Sequence, residues 1–309
     1  MKLFGRRQKS EKKRSASDED LFDEEMQRRL EVLALVARRI YRGRQRAERR
    51  TRKTGAGIEF ADHREYAPGD DFRYLDLNVY QRTGRLLIRL FEEEEDLSVY
   101  VIVDTSRSME MGDPPKLQYA KRIAAALSYV ALANLDRVSV LGFSDQMETR
   151  LAPTRGKNRI FKVFEFLRPL EAKGETDMKT ALRTFAAQNK RRGIAILISD
   201  LYDPKSFEDG INQLRYAKFD PYVLHVIDPA DARPPLHGDV RLVDHETGET
   251  REVTVTPRIL EKFAKAHARY QQQIEEFCGN KQVNYHALPT NVPFDEAVLR
   301  ILREGGLLA

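Results

Sequence analysis

From residue 97 onward, short apolar runs alternate with longer segments in which apolar residues recur every three or four positions. The short runs are rich in β-branched residues and predict strands, whereas the longer segments predict helices. The predicted strands are 98–103, 138–143, 194–198, 222–227 and 283–287, and the predicted helices are 116–135, 158–167, 178–189, 207–216, 258–278 and 294–303. This alternation predicts a doubly wound α/β fold, in which a mostly parallel sheet lies between two layers of helices. Two further short strands, at 241–244 and 252–255, predict a hairpin insertion.

A helical pattern also precedes this domain. Between Glu19 and about Tyr41, apolar residues recur every three or four positions, which predicts one amphipathic helix. Its apolar stripe consists of Phe22, Met26, Leu30, Leu33, Val36 and Ile40. Because such a stripe needs a surface to cover, we expect the helix to pack on the domain or on a second copy of the chain.

The patterns divide the chain into four segments. Residues 1–18 are polar and lysine-rich and are expected to be disordered. Residues 19–54 hold the amphipathic helix and an arginine-rich linker, and residues 97–309 form the α/β domain. Residues 55–96 form a charged segment without a clean period, apart from a short predicted strand at 86–91. The charged segment predicts a salt-bridged flap packed on the sheet edge. The alternative is an extra surface that helps to recognise a partner.

The distribution of charge and the single cysteine restrict the kinds of partner and of metal site that the chain can have. The net charge of +5 is uneven, because residues 1–53 carry +9 and the remainder carries −4. The basic arm predicts a solubilising tail, or alternatively a contact to nucleic acid or an anionic membrane surface. The single cysteine excludes an intrachain disulfide and cysteine-based zinc sites. No transmembrane run or signal-peptide pattern is present, so we expect a cytoplasmic protein.

Oxygen-bearing side chains follow two predicted strands and precede one helix. Asp104, Ser106 and Ser108 come directly after the first strand of the domain, Thr176 precedes a helix, and Asp200 follows another buried strand. Ligands of such folds bind at the carboxyl ends of the strands. Carboxylates and hydroxyls are the ligands that Mg²⁺, Mn²⁺ and Ca²⁺ prefer. We therefore predict a divalent metal site near solvent, with one position open to a carboxylate from a partner. The alternative is that both aspartates only cap turns or helices.

These five residues resemble the metal-ion-dependent adhesion site of von Willebrand factor A domains. The Asp-x-Ser-x-Ser turn of that family matches Asp104, Ser106 and Ser108, its threonine matches Thr176, and its distal aspartate matches Asp200. The resemblance implies a Rossmann-like α/β domain that uses a metal ion to dock a protein partner.

The charged segment resembles a second signature, that of a bacterial family catalogued as domain of unknown function 58. The matching residues are Gly57, Glu59-Phe60, Arg64, Tyr66, Pro68-Gly69-Asp70-Asp71, Arg73, Asp76, Arg82, Thr83, Gly84 and the acidic run 92–95. The chain departs from the family at Leu77, where a tryptophan is usual, and at Gln81, where an alanine is usual. The resemblance implies a partner of the MoxR-type AAA+ ATPase class, in a chaperone-like system or one that matures metal centres.

Two functions therefore compete at the same residues. The first is a metal-dependent adaptor without enzymatic activity. The second is a divalent-metal-dependent hydrolase, in which Asp104 and Asp200 hold the metal and a metal-activated water attacks the substrate. The hydrolase needs a general base, and Asp177 is the acidic candidate near the site in sequence. The chain has no P-loop motif and no histidine pair at metal-ligand spacing.

Overall fold

The computed structural model describes residues 22–48, 54–55, 59–92, 97–203, 207–243 and 250–304. The expectation that residues 1–18 are disordered lies outside the described residues. The helices are α1 Glu24–Glu48, α2 Leu77–Thr83, α3 Lys116–Ala133, α4 Ile160–Leu167, α5 Met178–Gln188, α6 Phe207–Tyr216, α7 Pro229–Ala232, α8 Pro257–Asn280 and α9 Phe294–Glu304. The strands are β1 Thr54–Gly55, β2 Glu59–Glu65, β3 Leu87–Glu92, β4 Ser98–Asp104, β5 Arg137–Phe143, β6 Met147–Thr154, β7 Ile194–Ser199, β8 Asp220–Ile227, β9 Gly238–Val243, β10 Thr250–Val255 and β11 Asn284–Pro289.

A six-stranded sheet in the order β11-β8-β7-β4-β5-β6 forms the centre of the molecule. Its strands are parallel except β6, which pairs antiparallel with β5 at one edge. The predicted mixed α/β fold with a mostly parallel sheet is confirmed. β6 was not predicted, because its residues are exposed or half-buried and lack the continuous apolar run of the inner strands.

Both faces of this sheet are buried, and β4 shows why its sequence is apolar throughout. Val99, Val101 and Val103 contribute to the core cluster that includes α3, α4 and α9. Tyr100 and Ile102 point into the opposite cluster, which includes residues of α5, α6 and α8. Successive side chains of a strand face opposite sides, so a strand covered on both faces is apolar at nearly every position.

Helix α1 packs on the domain, as its apolar stripe predicts. Leu30 and Leu33 of α1 are buried in the cluster that contains α3. Phe22, just before the helix, is buried there too, and its ring stacks on that of Phe164 with centroids 4.5 Å apart. The helix continues to Glu48, so the first part of the predicted arginine-rich linker is helical. Arginine has a high helix propensity, and the loss of apolar periodicity after residue 41 therefore does not end the helix.

The charged segment forms a small sheet of its own, in which β3 pairs with both β1 and β2. A salt bridge and a hydrogen bond support it: Arg64 pairs with Asp70 at 2.8 Å, and His63 Nε2 lies 2.9 Å from Asp76 Oδ2. Among the described strands, none of these three pairs with the six-stranded sheet. The sequence predicted the salt bridges and β3, but not β2 or α2. β9 and β10 form the predicted hairpin.

Candidate metal centre

The candidate ligands lie where the direction of strand addition reverses. When the six strands of the sheet are numbered along the chain, their spatial order is 3-2-1-4-5-6, the order of doubly wound sheets. The first and fourth of these are β4 and β7, which lie side by side with Val103 opposite Ile198. Asp104 ends β4 and Asp200 follows β7. Ligands of such sheets bind in the crevice at this point, so the topology places both aspartates where a ligand is expected.

Asp104 is fully buried among neutral hydrogen-bond donors. Its Oδ1 accepts the Ser106 amide at 2.9 Å, and its Oδ2 accepts the Ser199 hydroxyl at 2.5 Å. Burial and the charge of Asp200 raise the pKa of Asp104 to about 7, although the bonds from Ser199 and Ser106 act in the opposite direction. The surrounding protein therefore stabilises the ionised form of this carboxyl poorly.

The two serines of the turn lie together beside Asp104. Ser106 is buried and precedes a short 3-10 helix at Arg107–Glu110, whereas Ser108 is half-buried within that helix. Their hydroxyl oxygens are 3.1 Å apart. The structure thus brings together two of the three hydroxyl groups that the sequence predicted as ligands.

The loop that carries Thr176 contacts the turn after β4. The Lys173 amide donates to the Thr105 carbonyl at 2.7 Å, and the Arg107 amide donates to the Gly174 carbonyl at 3.2 Å. Gly174 has a φ of +75°, and a Cβ there would lie 2.9 Å from the Ser144 hydroxyl, so this approach of the loop requires glycine. Thr176 is buried two residues later.

Lys116, at the start of α3, is a member of the centre that the sequence did not predict. Its side chain is 1% exposed, and its ammonium donates to Asp200 Oδ2 at 2.6 Å and to Asp231 Oδ2 at 3.3 Å. Burial lowers the pKa of Lys116, but the two carboxylates outweigh it, so that the pKa lies above its usual value. A lysine on an amphipathic helix is normally solvent-exposed, and no local pattern marks this one as buried.

Aromatic and histidine side chains surround the ion pair. The Lys116 ammonium lies 5.1 Å from the centre of the Tyr202 ring, and the Tyr202 hydroxyl is 3.1 Å from His267 Nε2. His225, on β8, is 2.9 Å from the Tyr285 hydroxyl, and burial lowers its pKa to about 4. The imidazole of His225 is therefore neutral at physiological pH, so it adds no positive charge to the centre.

The structure corrects one expectation and bears on two others. The two aspartates are not near solvent, because Asp104 and Asp200 are both 0% exposed, and of the predicted ligands Ser108 is half-buried. The loop that carries Gly174 hydrogen-bonds the turn after β4 and helps to cover its end. Asp177 caps α5 by accepting the Thr180 amide at 3.0 Å, which engages it away from the role of a base. The turn-capping alternative is present in part, since one oxygen of Asp200 accepts the Tyr202 amide at 3.2 Å. That bond leaves the second oxygen of Asp200 to Lys116.

The donor set fits a hard divalent cation. Among the described residues, no group of three or more His, Cys, Asp or Glu side chains is arranged to hold a metal. The centre instead offers two carboxylates and neighbouring hydroxyls, which are ligands that magnesium accepts together with water. Burial and the charge of Asp200 raise the pKa of Asp104, and a cation beside the ionised carboxylate would counter both effects. None of the helices within the described ranges has the length and apolar character needed to cross a bilayer.

Comparison with known proteins agrees with the signature of the charged segment. The sequence model of the family described as protein of unknown function DUF58 matches residues 62–273. The uncharacterized protein Rv1480 of Mycobacterium tuberculosis is 28% identical over 225 residues, covering 71% of each chain. A second uncharacterized protein, MAV169 of Mycobacterium avium, is 35% identical over 98 residues, which is 32% of this chain and 57% of that protein.

Two solved structures from Bacteroides are also similar. The conserved hypothetical protein BatB from Bacteroides thetaiotaomicron has a TM-score of 0.43 at 17% identity, covering 67% of this chain and 96% of that one. An aerotolerance-related membrane protein from Bacteroides fragilis has a TM-score of 0.44 at 19% identity, covering 67% and 98%. The family assignment rests on the sequence match, which spans more than half of the chain. The matched residues include most of the flap and most of the α/β domain. The chain belongs to the family described as protein of unknown function DUF58.

Proposed function

We propose that this chain is a protein-binding module of the von Willebrand factor A type that depends on a divalent metal ion. Asp104, Ser106, Ser108, Thr176 and Asp200 would hold Mg²⁺, or Mn²⁺ or Ca²⁺ in its place, directly or through water. The bound metal would supply a positive charge with an open coordination position, and an Asp or Glu of a partner protein would fill that position.

One observation carries this proposal. Two buried carboxylates lie at the ends of adjacent strands at the switch point of the sheet, since Asp104 ends β4 and Asp200 follows β7. Burial and the charge of Asp200 raise the pKa of Asp104. Burying two like charges together costs free energy unless a cation accompanies them. The hydroxyls of Ser106 and Ser108 lie beside this pair and supply the neutral ligands that such a cation prefers.

The partner that we propose is a MoxR-type AAA+ ATPase. This part of the proposal comes from the family resemblance of residues 57–95 together with Asp104, Ser106, Ser108, Thr176 and Asp200. In such a pairing the ATPase would supply energy, and this chain would act as the adaptor in a chaperone-like or metal-centre maturation system.

A divalent-metal-dependent hydrolase at the same residues is the alternative, and the surroundings support it less well. Asp177 is engaged as the cap of α5. The pKa of His225 is lowered to about 4 by burial, and a base with so low a pKa is a weak acceptor of protons at neutral pH. A binding role needs neither group as a base.

Substitution of Asp104 tests the proposal directly. We expect Asp104→Asn to weaken Mn²⁺ binding at least ~10-fold, because an amide ligand carries no charge. The matched control is Asp145→Asn, which removes an exposed carboxylate from a neighbouring loop and is expected to bind Mn²⁺ like the wild type. Isothermal titration calorimetry on the full chain measures both affinities.

The same variants test docking. We expect the wild-type chain to bind a MoxR-type ATPase in magnesium and to lose that binding in EDTA, and Asp104→Asn to fail in both. Equal affinities in magnesium and EDTA would reject docking through the metal. The charged flap at residues 59–92 would then be the better candidate surface.

A further inference from the structure

Lys116 donates a hydrogen bond to an oxygen of Asp200 that a metal ion would otherwise use as a ligand. Its ammonium donates to Asp200 Oδ2 at 2.6 Å, and neither side chain has appreciable contact with solvent. A lysine is rarely buried without a carboxylate partner, because removing its charge from water is costly. Asp200 therefore serves at present as the counter-ion of Lys116, as well as being a candidate metal ligand.

Asp231 provides a second acceptor for the same ammonium. Its Oδ2 is 3.3 Å from Lys116 Nζ, and its side chain is 17% exposed, so it lies on the solvent side of the ion pair. Asp231 belongs to α7, a short helix that Asp228 caps by accepting the Ala230 amide at 2.8 Å. A small rotation of the lysine side chain would move its charge from Asp200 to Asp231 without exposing it fully to water.

The charges of these four residues favour one additional divalent ion. With all four ionised, Lys116, Asp104, Asp200 and Asp231 carry a net charge of minus two, and Lys116 compensates only one of the three carboxylates. A divalent ion between Asp104 and Asp200 would bring the sum to zero. The divalent ion would also lie within a few ångströms of the Lys116 ammonium that bonds Asp200. Two cations at that distance in a buried site repel strongly.

We propose that Lys116 is a tethered counter-ion that competes with the metal for Asp200 and transfers to Asp231 when the metal binds. The inference rests on the proposed metal function and specifies how that site is regulated. Without the metal, the ammonium stabilises Asp200 and keeps the centre folded. With the metal, the lysine bonds Asp231 and couples the occupied centre to α7 and to the start of α3. Lys116 thereby lowers the affinity for the metal and makes occupancy sensitive to whatever contacts Asp231.

Removing the lysine charge tests the competition. We expect Lys116→Met to bind Mn²⁺ about 10-fold more tightly than the wild type or better, within the range of typical coupling between ligands, because no ammonium has to leave Asp200. The matched control is Lys121→Met. Lys121 is also buried on α3, but its ammonium donates to the Arg168 carbonyl at 3.2 Å, and its variant should bind Mn²⁺ like the wild type.

The transfer to Asp231 is tested by Asp231→Asn. We expect this variant to bind Mn²⁺ more weakly than the wild type, because the displaced ammonium loses its charged acceptor. Lys116→Gln removes the same charge while keeping a polar group, and it replaces Lys116→Met if the apolar variant does not fold by circular dichroism. Tighter binding by Asp231→Asn would overturn the transfer.

Calorimetric titration of the full, EDTA-treated chain with Mn²⁺ separates this inference from the proposed function. If the wild type binds Mn²⁺ and the neutral variants of Lys116 bind with equal or lower affinity, the competition is overturned and the metal function stands. If neither the wild type nor any Lys116 variant binds Mn²⁺, the metal function itself is rejected and the inference falls with it. Tighter binding by Lys116→Met and Lys116→Gln, with Lys121→Met unchanged, supports the inference.

Discussion

Asp104 and Asp200 lie in the same buried space but have different partners. Asp200 receives the ammonium of Lys116 at 2.6 Å, whereas Asp104 receives only the neutral donors of Ser106 and Ser199. Burial and the negative charge of Asp200 raise the pKa of the Asp104 carboxyl to about 7, and its two neutral donors offset that rise only in part. At the scale of single residues, the centre is therefore compensated on the Asp200 side and short of positive charge on the Asp104 side.

The raised pKa of Asp104 predicts how the metal-free chain responds to pH. A carboxyl whose folded pKa lies above its ordinary value of 3.8 destabilises the fold as pH rises towards and through 7, because the folded chain must give up a proton that it binds more tightly than the unfolded chain does. In EDTA, we therefore expect the contribution of Asp104 to stability to be fully favourable below pH 4 and lost by pH 8.

Asp104→Asn removes this dependence, since an amide does not ionise. In EDTA at pH 8, we expect the variant to be more stable than the wild type by roughly 2 kcal/mol, less than the full shift in pKa would allow because neighbouring groups relax. Urea denaturation at pH 5 and pH 8 measures the difference. A gap that is the same at both pH values would show that the ionisation of Asp104 does not affect stability.

At the scale of elements, α1 packs against α3 and α9, which lie on one side of the sheet. Its buried side chains join the cluster formed by α3, α4 and α9, and Arg38 donates to the Ala133 carbonyl at the end of α3 at 2.9 Å. α1 therefore contributes to the same core as the domain, and its loss should destabilise the domain as a whole.

Two leucines on α1 give a matched comparison. Leu33 is 1% exposed, whereas Leu35 is 67% exposed. We expect Leu33→Ala to lower the free energy of unfolding by about 2–5 kcal/mol, because it removes buried methyl groups and leaves a cavity. Leu35→Ala should change it by less than about 0.5 kcal/mol. Denaturant unfolding followed by circular dichroism measures both. A small effect of Leu33→Ala would mean that α1 detaches before the domain unfolds.

At the scale of the whole molecule, two separate cores share one sheet, and the single cysteine reports on one of them. Cys278 lies near the end of α8 in the core opposite α1 and is 1% exposed. Burial raises the pKa of its thiol to about 12. Because the thiolate is the reactive form of cysteine, the native chain should hardly react with alkylating reagents.

We expect iodoacetamide at pH 8 to label Cys278 slowly in the native chain and rapidly in urea, with the onset of labelling at the denaturant concentration where helical structure is lost. Mass spectrometry measures the labelled fraction, and the urea-unfolded chain is the positive control. Rapid labelling without denaturant would show that the end of α8 opens independently of the rest of the fold.

Local sequence was sufficient to predict most elements of the domain. The inner strands are buried on both faces and most helices on one, while α3 is buried nearly all round. Each therefore carries an apolar pattern that identifies it. The positions of Asp104 and Asp200 at strand ends followed from the same pattern. Elements without such a period were missed, namely the half-exposed edge strand β6, strand β2 and helix α2. The arginine-rich end of α1 was taken as a linker for the same reason.

Only the tertiary structure decided which charges meet and how deeply they are buried. Lys116 and Asp200 are 84 residues apart, and no periodicity at either position indicates that they form an ion pair. Their pairing depends on α3 beginning beside the strand that precedes Asp200, a relation that strand order creates and local sequence does not encode. Burial of the two aspartates likewise depends on loops that arrive from distant parts of the chain. Local sequence identified groups able to bind a cation, and the fold placed one cation, the lysine, beside one of them.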